Sequence, residues 1–186
     1  KPQEIVLIGT PGAADTQAVS PALSVVSSTT RQWNDQMFAA GDQRNGNYIP
    51  DCDLKNLQVN ASDEDLEYQF TVAKTLGATH LTAELPTGPN AATVLKRVGD
   101  TALKHQMFAA YHTHTQGSMT AFDVAIQQSP YNALNVDAGH YQAANSSSVI
   151  PLLRKHAGKV GSIHLKDRQN GGPNQMWGQG DTNIGE

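Results

Sequence analysis

Asp137 and His140 stand three residues apart in "NVDAGHY" (135–141), where an apolar stretch runs into a glycine. His164 lies in a second short apolar stretch, "SIHLKDR" (162–168), and is followed by Lys166, Asp167 and Arg168. Upstream, "AAYHTH" closes on His112 and His114, and "LTAEL" carries Glu84. Imidazole and carboxylate are donors suited to Mn, Co, Zn, Mg or Fe, and the same groups serve as general acids and bases. Four of the seven histidines belong to this set, and none precedes His80.

Each residue taken alone has a plainer explanation. Asp137 could cap a turn, Glu84 could be a solvated loop acid, and His164 could be a hydrogen-bonded core residue. His112 and His114 share a face if the strand continues through both, because strand side chains alternate. His80, His105 and His156 are assigned to structure or surface. The plain explanation has to be repeated at four successive strand ends, and together these positions favour a site.

The elements that position them alternate. "SDEDLEYQFTVAKTLGA" opens with a capping serine and three acids, carries Leu66, Phe70, Ala73 and Leu76 at helical spacing, and stops at Gly77. "ATHLTAEL" is the first clear strand, residues 90–105 a helix, "MFAAYHTH" a strand, the region around "TAFDVAIQQ" a helix, and "ALNVDAGH" a strand. "SSSVIPLLRKHAG" is a helix with Ser148 as cap, Pro151 in its first turn and Gly158 at its end, and "KVGSIHL" is the last strand. Such β-α alternation with non-alternating apolar strands predicts an α/β fold with a parallel sheet, whose ligands bind beyond the carboxyl ends of the strands. Residues 1–61 are less regular: "EIVLIGTPG" reads as a strand and turn, and "RQWNDQMFAA" carries a weak helical pattern.

With 186 residues, 38% hydrophobic and 16% charged, the chain suits one soluble globular domain spanning 1–186, with four legible β-α units in 62–186. A net charge of −4 without a basic cluster argues against nucleic acid, and no apolar run suits a membrane span. The single cysteine, Cys52, excludes an intramolecular disulfide. The chain begins with Lys1 rather than Met, so any original leader is expected to be absent from it, and the location is left open between the cytoplasm and export with the leader removed. "GTPGAAD" (9–15) lacks the spacing of a dinucleotide or phosphate loop, and no GxSxG elbow occurs. "NGGPNQMWGQGD" (170–181) reads as a mobile lid or substrate loop.

"AKTLGATHLTAEL", "AAYHTHTQG", "NVDAGHYQAAN" and "GSIHLKDRQ…WGQGDTNIGE" resemble successive strand ends of the xylose-isomerase-like sugar phosphate isomerase/epimerase superfamily, over about Asp63 to Glu186. The resemblance implies a TIM-barrel-like (β/α) fold, one divalent metal ion (Mn, Co, Mg or Zn), and a small-molecule sugar or sugar phosphate as partner. It carries Asp137 and His164 over as metal ligands and His140 as a substrate contact. His112 falls where many members place a glutamate ligand and base, and others a Tyr-His-x-His sequence like this one. The reaction implied is isomerisation or epimerisation by proton transfer through a metal-stabilised enediolate. Glu84, His112 and His114 are the catalytic candidates, and Lys166 and Arg168 would hold a phosphate or hydroxyl, unless Arg168 pairs with Asp167. A metal-dependent lyase or hydrolase, or a degenerate carbohydrate-binding barrel, is the alternative.

The family's eighth-strand glutamate has no counterpart before Glu186, and three β-α units do not fit before Ser62. An incomplete or truncated barrel is therefore expected. The edge of "KVGSIHL" would be open to self-association, as a homo-oligomer, unless "EIVLIG" or another chain covers it.

Overall fold

The computed structural model describes residues 57–75 and 78–186, together with the backbone of two short strands, β1 (Ile5–Ile8) and β2 (Ser24–Ser27). The stop signal at Gly77, the "GTPGAAD" stretch, the pattern around "RQWNDQMFAA" and Cys52 lie outside the described residues. The remaining elements are α1 (Asp63–Thr75), β3 (His80–Glu84), α2 (Ala91–His105), β4 (Phe108–His112), α3 (Asp123–Gln128), β5 (Asn132–Asp137), α4 (Ala138–Asn145), α5 (Ile150–Lys155) and β6 (Val160–Leu165). Four parallel strands with flanking helices place the chain in the α/β class expected from its sequence. No helix among the described residues is long and apolar enough to cross a membrane.

The chain divides into two compact units. One holds α1, β3, α2, α3, most of β4 and the start of β5. Ser62 caps α1, accepting the Asp65 N–H at 3.1 Å while its hydroxyl donates to the Asp65 carboxylate at 2.7 Å. Leu66, Phe70 and Ala73 of α1 and Leu95, Val98 and Ala102 of α2 are fully buried, which is the helical stripe visible in the sequence. Asn132 is buried, and its amide donates to the carbonyls of Leu95 and Ala125, joining β5 to α2 and α3. His80 is buried in β3 beside the Thr79 hydroxyl, and His105 pairs with Glu67 at 2.8 Å and stacks on Phe70. Both have the structural surroundings expected for them.

The other unit holds β1, β2, β6, most of β5, α4 and α5, with strand order β2-β1-β6-β5. β5 is buried along its whole length, as a parallel strand covered on both faces should be. β5 and β6 are parallel, and their register shifts by one residue between Leu134 and Asn135. β1 pairs with β6 and with β2, antiparallel in both cases. The edge expected to be open is therefore covered by "EIVLIG", so β6 is paired on both sides and offers no edge for self-association. The antiparallel sense departs from a regular (β/α)8 barrel, in which neighbouring strands are parallel.

α4 replaces what the sequence suggests is a strand end and turn. Gly171 N–H donates to the Ala143 carbonyl, and Gln142 to the Asn170 side chain, so α4 holds the segment that follows β6. Pro151 lies in the first turn of α5, as expected; Ser148 accepts the Ile150 N–H from the position before the N-cap Val149, and the helix ends at Lys155, short of the expected stop at Gly158.

Candidate metal centre

Asp137 ends β5 and is the N-cap of α4, its Oδ1 accepting the His140 backbone N–H at 2.7 Å. The spacing of D-A-G-H is thus that of a first helical turn, where the sequence suggests that the strand runs on to His140. Gly139 has a different task. A Cβ there would stand 2.8 Å from the Lys166 carbonyl and overlap the Lys166 side chain, so only glycine lets α4 begin so close to the end of β6.

The register shift between β5 and β6 decides which residue faces Asp137. Leu134 pairs with Val160, but Asn135 pairs with Ser162, and the extra residue in β6 sets Asp137 opposite His164. Without it Ile163 would stand there, and the histidine would turn to the other face. His112, the last residue of β4, brings its ring centroid to 4.8 Å from that of His164.

Two groups of donors among the described residues could hold an ion: His112, Asp137 and His164, or His112, His114 and His140, with candidate ligand atoms within 4.8 Å of one another. Arg168 distinguishes them. It carries only donors; its Nε and Nη2 reach the Gly172 carbonyl at 3.1 and 2.5 Å, and its Nη1 meets His140 Nδ1. Nδ1 must then accept, leaving the ring proton on Nε2, which lies 3.6 Å from Asp137 Oδ2. Neither nitrogen of His140 has a lone pair to offer an ion in this arrangement. The group His112, Asp137 and His164 remains, with two imidazoles and one carboxylate.

These residues fit a divalent ion. Burial pushes the His112 imidazole down to about 4, reinforced by His164 and opposed by Asp137, so the ring is neutral near neutral pH, as a ligand must be. Its Nδ1 is buried with no hydrogen-bond partner. Asp137 Oδ2 lacks a well-directed hydrogen bond, but it has a charge partner: Lys166 Nζ lies 2.7 Å away. His140 is also lowered to about 4, by burial first, with Asp137 opposing and Lys166 and Arg168 adding to the shift.

His114 follows β4 rather than continuing it, and is exposed, yet its ring lies 4.8 Å from that of His112 and 4.6 Å from that of His140. Glu84 ends β3 in the other unit, is exposed, and joins neither donor group. Lys166 is 7% exposed and lies against Asp137 instead of standing at a rim. Arg168 does not take Asp167 as its partner. The Asp167 carboxylate, 1% exposed, accepts N–H groups from Gly178, Gly180 and Thr182 at 2.8, 2.9 and 3.2 Å. The Gly-rich segment is therefore folded onto Asp167, not left as a mobile lid, and a Cβ at Gly180 would overlap that carboxylate.

The contact of Lys166 with Asp137 was not foreseen, although period-two alternation puts Lys166 on the face of His164. Asn135 was also missed. It lies two residues before Asp137 on the same face, beside Ser162, with its side-chain oxygen buried and unpartnered. A polar residue inside "ALNVD" was the available signal.

No protein-family model matches the chain, and no curated protein is significantly similar to it. Among solved structures, the chain is similar to a xylose isomerase domain protein from Planctomyces limnophilus. The TM-score is 0.54 and the identity 20%, over 66% of this chain and 51% of that one. A sugar phosphate isomerase/epimerase from Parabacteroides distasonis ATCC 8503 aligns at 10% identity and TM-score 0.40, over 61% of this chain and 48% of that one. The chain spans about half the length of these proteins. The first likeness extends over about two-thirds of the chain and agrees with the α/β fold described above.

Proposed function

We propose that the chain isomerises or epimerises a small sugar or sugar phosphate, with a divalent ion held by His112, Asp137 and His164. When bound, the ion supplies Lewis-acid stabilisation of the negative charge that develops on substrate oxygens. The chain's own residues do the rest. His140, its ring proton on Nε2, donates to a substrate oxygen. His114, beside both His112 and His140, is the base that takes the proton from the carbon next to the carbonyl. Arg168 fixes the orientation and tautomer of His140, and Asp167 fixes the segment that carries Arg168.

The observation that supports this reading is the pairing of Asp137 with His164 across adjacent parallel strands, with His112 beside them. The test is incubation of the ion-loaded protein with ketoses and their phosphates in D2O. The expected outcome is an isomeric product with deuterium at the carbon next to the carbonyl. Loss of water or a cleaved product would support a lyase or hydrolase instead. The Lys166 ammonium on Asp137 favours a second reading, a carbohydrate-binding barrel that takes no ion; sugar binding unaffected by chelation, without turnover, would support it.

A further inference from the structure

Asp137 has one carboxylate oxygen on the α4 cap and one facing the site. The second, Oδ2, already carries a cation: Lys166 Nζ at 2.7 Å, between side chains that are 9% and 0% exposed. The placement is built into the fold. Gly139 leaves room for the Lys166 stem where any Cβ would strike it, and Lys166 follows His164 by two residues on the same face of the chain. An ammonium and a divalent ion on one buried oxygen are like charges at close quarters, where little solvent screens them. The two occupants compete.

We propose that Lys166 is an internal counter-ion for the ligand carboxylate: it holds Asp137 Oδ2 in the ion-free chain and gives it up when a divalent ion binds. The proposal rests on the reading of His112, Asp137 and His164 as ligands. It gives Lys166 a role other than the phosphate or hydroxyl contact suggested by its sequence position. In the ion-free state the buried carboxylate is neutralised, so the strand ends stay together. The cost is affinity, because the ion must displace an ion pair. Once displaced, the ammonium lies beside the substrate's oxygens, so ion loading and the availability of Lys166 to substrate are linked.

The test is the affinity of Lys166→Met and Lys166→Gln for Mn2+, Co2+ and Zn2+, by titration calorimetry against the unsubstituted protein. Both variants should bind about tenfold more tightly or better, since the competitor is gone while the carboxylate remains. In chelator they should melt lower than the unsubstituted protein, with a larger rise in Tm on adding ion. In the unsubstituted protein, the 15N signal of the Lys166 ammonium should broaden into exchange with water when the ion is added, a readout that needs no variant. Weaker binding by the variants, by about tenfold or more as when an orienting partner is removed, would overturn the proposal and leave the ligand assignment intact. Unchanged affinity, or an ammonium signal that does not respond to bound ion, would overturn it likewise. If neither the protein nor its variants bind any of the three ions, the ligand assignment fails and the proposal fails with it.

Discussion

Asp137 serves two structures with its two oxygens, and the difference between aspartate and asparagine separates them. In Asp137→Asn the side-chain oxygen can still accept the His140 N–H, so α4 keeps its cap. The charge that Lys166 and an ion would share is gone. The expected outcome is a loss of ion affinity beyond the ~10–100-fold typical of outer-shell substitutions, with α4 helicity retained by NMR; a variant that binds as before would remove Asp137 from the ligand set. His140 gives a second residue-scale prediction. Its ring proton should sit on Nε2, read from 15N–1H correlations at neutral pH, where burial keeps the ring uncharged. Arg168→Met should release Nδ1 and let both tautomers populate. A ring protonated on Nδ1 in the unsubstituted protein would restore His140 as a possible ligand. The residue types of this centre were legible before any fold was known, because acids and histidines recur at strand ends. Their pairing was not. Whether Asp137 faces His164 or Ile163 depends on one extra residue in β6, and nothing in "KVGSIHL" marks it except a glycine that has other uses.

At the scale of elements, Asp167 organises the segment after β6 by taking three backbone N–H groups in a buried position. Hydrogen bonds to a charged acceptor contribute roughly 1.5–3 kcal/mol each. Asp167→Asn keeps one acceptor oxygen, so the expected loss is about 1–3 kcal/mol, confined to this segment. Amide exchange at Gly178, Gly180 and Thr182 should accelerate about tenfold or more, while β5 and α2 remain as protected as before. Uniform acceleration would mean that the carboxylate supports the whole fold. Most elements were legible, since α2 has a clean apolar stripe and β5 carries Ala133, Leu134 and Val136 between turn-forming residues. α4 escaped because its first residues continue an apolar strand and its N-cap is also a candidate ligand. The Gly-rich segment looked mobile because its anchor is a carboxylate from just before it. Alternation of side chains could have shown Lys166 on the His164 face, but a lysine at a strand end reads first as a solvent-seeking group.

For the molecule as a whole, acid should be the weak direction, and His80 is the reason that can be isolated. It is fully buried in β3, and burial alone pushes its imidazole down to about 4, from 6.5 in an unfolded chain. Above pH 6.5 the ring is neutral in both states and contributes no pH dependence. Between 6.5 and 4 the unfolded chain takes up a proton that the folded chain refuses, so stability falls as the pH drops. Below 4 both states are protonated and the loss levels off. The slope within the window approaches about 1.4 kcal/mol per pH unit, so going from pH 7 to pH 5 should cost about 2 kcal/mol through this residue. Denaturant midpoints at the two pH values, for the protein and for His80→Leu, give the test, with chelator present so that ion binding adds nothing. The substituted chain should lose less stability on acidification by about that amount. The His80 ring signals of the unsubstituted protein should keep their neutral positions at pH 5. If the ring titrates near 6.5 while the fold persists, or if His80→Leu is as acid-sensitive as its parent, His80 is not the buried neutral group that β3 holds.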